Sequence, residues 1–155
     1  MRLHHGFAYI ALLATLAILM LALTSASESI SHNAKREREQ QLFFVGEQFR
    51  NAIKNYYENS PSGVKQFPNK LNDLLKDNRF AKPARYLRRI YRDPMSNDFD
   101  WGVVLNENKQ IVGIYSLSSK ELLKTNLPSD LVTVDSDKGK LKYSDLKFIY
   151  TPEPL

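Results

Sequence analysis

Residues 6–26, GFAYIALLATLAILMLALTSA, form a run of 21 residues without a charge. At about 1.5 Å per residue a helix of that length reaches roughly 30 Å, the thickness of a bilayer core. A buried helix in a small soluble protein rarely stays apolar on every face for so long. The run therefore predicts a membrane-spanning helix over residues 7–26.

Three readings of this run stand side by side. A cleaved secretory signal has support from Arg2 and from small residues at Ser25 and Ala26. The run is longer, however, than the usual apolar core of about 7–15 residues. An uncut signal anchor is the second reading. The third is a signal cut before the apolar run. The charges around it, Arg2 before and Lys35, Arg36 and Arg38 after, leave its orientation open.

Past the apolar run the pattern changes. From Ser27 to about Asn59 there is no proline, and Gly46 is the only glycine. Leu42, Val45, Phe49, Ile53 and Tyr56 recur at helical spacing and predict one apolar face. The KRERE run at 35–39 reads as a solvated face, with lipid headgroups as the sharper alternative. Ser60-Pro61-Ser62-Gly63 predicts the helix end.

The remaining chain has the makings of one folded domain. Charged residues are 25% and apolar residues 43%, which suits a globular chain of 155 residues. The net charge of +5 is spread along the chain, which makes nucleic acid an unlikely partner. There is no cysteine, which excludes disulfides, thiolate metal sites and cysteine nucleophiles. The histidines are His4, His5 and His32, so residues 33–155 lack the commonest general base and metal ligand. No glycine-rich phosphate loop, serine elbow or HExxH is present. The expectation is no enzyme and no cofactor.

Residues 67–80 predict a short helix with Leu71, Leu74 and Leu75 on one face. Residues 101–105 and 110–117, rich in branched and aromatic residues, predict an antiparallel hairpin with its turn at Asn106–Asn108. Residues 146–150 predict a last strand, stopped by Pro152 and Pro154.

MRLHHG followed by FAYIALLATLAILMLAL resembles the leader and helix start of type IV pilins and type II secretion pseudopilins. The resemblance implies cleavage by a prepilin peptidase between Gly6 and Phe7, and N-methylation of Phe7. In that family the fifth mature residue is normally glutamate, and here it is Ala11. Some tip-located members also lack the glutamate, so Ala11 implies a minor or atypical subunit. The segment from Arg85-Tyr86-Leu87 through Asp93-Pro94 to Trp101-Gly102 resembles the central region of G-type pseudopilins. The last strand is similar to one in related prepilin-type proteins.

Two clusters are candidate sites. Arg85, Arg88, Arg89 and Arg92 would form a basic stripe on a helix. The readings are structural pairing with Asp93, Asp98 and Asp100, contact with a neighbouring subunit, or phosphate binding. Asp93, Asp98 and Asp100 with Asn97 form an oxygen-rich loop that calcium would suit by ligand type. The spacing is not that of an EF-hand, and a plain Asp-Pro turn is the leading reading.

The combined expectation is an α+β fold: a long N-terminal helix, membrane-spanning in its first half and amphipathic over 27–59, packed on a small antiparallel sheet within 60–155, after a leader at 1–6. The resemblance implies a structural subunit of a secretion or pilus-like machine, with no catalytic residues, held by one pass in a bacterial inner membrane. Its N-terminus would be cytoplasmic and its domain periplasmic. Its partners would be the prepilin peptidase, other pilins or pseudopilins, an inner-membrane assembly platform and membrane lipid. The alternative is an uncut, membrane-tethered periplasmic binding module that joins no filament.

Overall fold

The computed structural model describes residues 4–123, 133–134 and 141–152, with side chains described for 6–20, 33–61, 63–123 and 141–152. The chain divides into two compact units, Met1–Glu37 and Arg38–Leu155. One helix, α1 (His4–Glu58), supplies the helical part of both.

The sequence-based architecture is corrected at its N-terminal end. Among the described residues no helix is long and apolar enough to cross a membrane. The spanning half assigned to 7–26 is therefore not upheld. With it fall the assignments to membrane, to a transmembrane helix, to a single pass of the inner membrane and to a periplasmic domain. The helix packs on the sheet through its second half. Only the stretch after residue 38 belongs to the sheet-bearing unit.

In that second unit the apolar face read from the sequence is the buried one. Leu42, Val45, Phe49, Ile53 and Tyr56 are all buried, joined by Ala52. They pack in one cluster with Leu74, Leu87, Met95, Trp101, Ile114, Tyr143, Leu146 and Phe148. Gly46 lies on this face. A Cβ there would come within 2.3 Å of the Phe148 ring, so the glycine sets how closely helix and sheet approach. Phe49 meets Trp101 with ring centroids 5.5 Å apart.

The sheet has four antiparallel strands in the order β1-β2-β4-β3: β1 (Gly102–Leu105), β2 (Ile111–Tyr115), β3 (Thr133–Val134) and β4 (Leu146–Ile149). The hairpin read from the sequence is β1-β2, paired from Gly102↔Tyr115 to Leu105↔Ile111 with a register shift after Val104. Its turn is held by Asn106, whose Oδ1 accepts the Asn108 and Gln110 N–H groups at 3.0 and 2.8 Å. The alternation of strand side chains puts Ile114 and Phe148, which face each other across β2 and β4, on the helix side.

The helix predicted over 67–80 is corrected to a single 3-10 turn, Leu71–Leu74. Lys70 is its N-cap, and Asp73 Oδ2 accepts the Asn69 and Lys70 N–H groups at 3.1 and 2.9 Å. These bonds cap the start of the turn, since the donors at 69 and 70 precede it and have no intrahelical partner. The chain then doubles back: Asp77 and Ala84 exchange backbone bonds, and Leu74 O accepts from both Tyr86 and Leu87. The polar stretch 136–140 and Pro154 lie outside the described residues.

Candidate functional site

The residues singled out near the N-terminus sit in the first turns of α1. The Gly6–Phe7 bond falls where helical N–H groups lack intrahelical partners, and a Cβ on Gly6 would meet nothing within 4 Å. Phe7 is 75% exposed, and Ala11 is exposed as well. All of residues 6–20 are exposed, including Tyr9, Ile10, Leu13, Ile18 and Leu19. Ordinary monomers seldom leave a continuous apolar surface of that extent uncovered.

The acidic loop does not converge on a cation. Asp93 is fully buried, and its carboxylate is taken up locally. Oδ1 accepts the Met95 N–H at 2.8 Å, and Oδ2 accepts the Ser96 and Ser116 hydroxyls at 3.0 and 2.6 Å. Asp98 spends Oδ1 on the Phe99 N–H, and both Asp98 and Asp100 are exposed. Among the described residues no group of three or more His, Asp or Glu side chains could hold a metal. Asp93 therefore serves as the anchor of the Asp-Pro turn, tying it to the strand end at Ser116.

A second buried carboxylate went unnoticed in the sequence because it sits in the charged KRERE run. Glu39 is 3% exposed, so the run is not solvated throughout. Its Oε1 accepts the Tyr143 hydroxyl at 2.6 Å and the Leu123 N–H at 2.8 Å, joining the helix to two distant segments. Burial, and then the hydrogen bond and charge of Glu39, push the Tyr143 phenol far above its ordinary value. Spacing gives one signal for it: Glu39 lies three residues before Leu42, on the apolar face.

The third polar cluster closes α1. Arg79 Nη2 donates to Tyr56 O at 2.9 Å, one of the last four carbonyls of the helix, and its guanidinium lies 3.6 Å over the Tyr56 ring. Ser60 Oγ also donates to Tyr56 O, Asn59 to Asn55 O, the Ser60 N–H to Tyr57 O and Lys65 to Glu58 O. Asp77, 1% exposed, holds Arg79 with Nη2 at 2.7 Å from Oδ2. Burial alone would raise the Asp77 carboxyl, but the Arg79 hydrogen bonds and charge outweigh it and hold it below its ordinary value. Burial raises the hydroxyls of Tyr56 and Tyr86. Every charge in this cluster is matched by a structural partner.

The arginine stripe differs. It is not helical: residues 81–93 carry no helix, so the single-face helical geometry expected for it is corrected. The segment is nonetheless fixed, by the Ala84, Tyr86 and Leu87 backbone bonds, by buried Leu87, and by the Trp101 indole N–H donating to Tyr91 O at 2.8 Å. Arg85, Arg88, Arg89 and Arg92 are all exposed. Arg85 Nε donates to Leu87 O, Arg89 lies 5.3 Å from the Tyr91 ring centre and Arg92 4.8 Å from that of Phe99. Among the described residues none of the four forms an ion pair with a carboxylate; the pairing with Asp93, Asp98 and Asp100 is absent.

The site is thus a pair of surfaces, one apolar on residues 6–20 and one cationic on residues 85–92. No protein-family model, no curated protein and no solved structure matches this chain, so its resemblance to pilins and pseudopilins rests on its own sequence motifs.

Proposed function

We propose that this chain is a structural, pilin-like subunit that assembles with other subunits through its N-terminal helix and performs no bond chemistry of its own. The observation that carries the reading is the exposure of residues 6–20, apolar on every face and uncovered. Burial of such a surface is favourable by about 25 cal/mol per Å², so a partner surface is the expected complement. A second helix of the same composition supplies one, because close-packed side chains on both interlock along their length. The buried carboxylates Glu39, Asp77 and Asp93 support the same reading, since each is consumed in holding the fold, Asp77 with Arg79. Gly6 and Phe7 supply the prepilin-type start, and Ala11 the minor or atypical character.

The absence of native cysteine makes the test clean, because a single introduced thiol is unambiguous. Under mild oxidation Leu13→Cys and Ile18→Cys are expected to give covalent dimers, while Asn108→Cys, on the exposed hairpin turn, is not. Dimers from all three positions alike, or from none, would overturn assembly through the helix. Mass spectrometry after co-expression with a prepilin peptidase is expected to find a methylated Phe7 terminus, and Gly6→Ala is expected to block the cut. An intact Met1 terminus in the wild type would remove the prepilin part of the reading.

A further inference from the structure

We infer that residues 85–92 form a docking surface for an acidic protein segment, distinct from the assembly helix. The segment 82–92 carries Lys82, Arg85, Arg88, Arg89 and Arg92 and no acidic residue, and all five cations are exposed. Two other cations of the second unit have carboxylate partners. Arg79 is held by Asp77, and Lys54 lies 3.8 Å from Glu58. The hollow lined by Arg50, Lys54, Glu58 and Lys65 carries its own carboxylate. The stripe has Asp93, Asp98 and Asp100 within reach along the chain and pairs with none of them. Five cations within the stretch 82–92, with no acidic residue among them and no ion pair among the described residues, concentrate positive charge that an anionic partner would neutralise.

The mode of presentation narrows the partner. The backbone is pinned at Ala84, Tyr86, Leu87 and Tyr91, so the arginines project from a fixed ledge. Two guanidinium groups rest on aromatic rings, which limits their rotamers and leaves N–H edges free for planar, two-point bonding to an oxygen pair. Carboxylates fit that fork. A nucleic-acid surface would use free aromatic faces for base stacking, and here Arg89 and Arg92 already cover Tyr91 and Phe99. A pinned, irregular segment is also poorly suited to enter a duplex groove, which takes a helix or a two-stranded ribbon. The partner that fits is a run of aspartate and glutamate side chains on another protein.

Fluorescence anisotropy of a labelled deca-glutamate peptide titrated with the full chain tests this. Binding is expected to weaken steeply as salt rises from about 50 to about 300 mM. The combined variant Arg88→Gln, Arg89→Gln, Arg92→Gln is expected to weaken it about tenfold or more, while Lys54→Gln with Lys65→Gln leaves it within about twofold. Arg88→Gln alone, which removes no described hydrogen bond, serves as the second variant should the triple one melt early; it is expected to weaken binding by about twofold to threefold. No binding of the peptide, equal losses in the two charge-removal sets, or tighter binding to a short DNA duplex than to the peptide would each overturn the inference. None of these outcomes bears on helix-mediated assembly, which the thiol probes read separately.

Discussion

At the scale of single residues, Asp77 offers the sharpest pH dependence. Its folded-state pKa lies below the unfolded value of about 3.9, so as pH falls the unfolded chain takes up the proton first. The stabilisation from the Asp77–Arg79 pair is complete above about pH 4 and is lost as pH drops through the folded value. Thermal melts between about pH 2 and pH 6 are expected to show the wild type losing stability below about pH 4. Asp77→Asn is expected to be less stable by about 1.5–3 kcal/mol at neutral pH, because it removes the charge that Arg79 bonds to, and to vary less with pH below 4. Equal acid slopes for the two proteins would show that the pair does not carry the dependence. The same cluster explains why Arg79 was not singled out from sequence. Its function is to bond a carbonyl 23 residues earlier, and no local pattern announces such a contact.

Among the elements, those defined by local periodicity were legible. The apolar face from Leu42 to Tyr56 and the hairpin around Asn106 follow directly from residue spacing and turn chemistry. The segment 67–80 is not a full helix, because three leucines at helical spacing also suit a 3-10 turn followed by a reversal, and Leu74 O accepts from Tyr86 and Leu87 rather than from the next helical turn. The arginines show the same thing: helical spacing is a coincidence where backbone bonds at Tyr86 and Leu87 hold the chain in a bent, non-helical path. Glycine 46 was visible only as an interruption, yet it marks the closest approach of helix to sheet. Gly46→Ala is expected to destabilise the fold by about 1–3 kcal/mol, despite the better helix propensity of alanine, because the buried Phe148 ring has no space to move into. A chemical denaturation midpoint above that of the wild type would contradict this.

For the whole molecule, the sequence suggests a helix that spans a membrane in its first half and packs on a sheet in its second; no described helix is long and apolar enough to cross a membrane, and the chain divides into units at residues 37 and 38. Uniform hydrophobicity does not by itself name lipid as the partner. Exposure of residues 6–20 calls for a cover, and protein helices of the same kind provide one equally well. Among the described residues the core cluster runs from Leu42 onward, within the unit 38–155. A chain beginning at residue 38 is expected to unfold in a single transition, within a few degrees of the full-length midpoint, and to remain monomeric by light scattering. Loss of cooperative melting would place part of the stabilising core in the N-terminal unit. The candidate surfaces were only partly legible: the apolar run and the arginines were visible by composition, but their lack of partners is a property of three-dimensional placement.

Trp101 is the only tryptophan in the chain, and it stands where helix, hairpin and arginine ledge meet, with Phe49 on one side and its indole N–H bonded to Tyr91 O. It is therefore an intrinsic optical reporter. Its emission, shifted to the red on exposure to water, records whether that junction is closed, and an anion seated on Arg89 or Arg92 changes the field only a few residues from the ring. A single emission spectrum thus follows both the integrity of the core and the occupancy of the cationic surface, without a label.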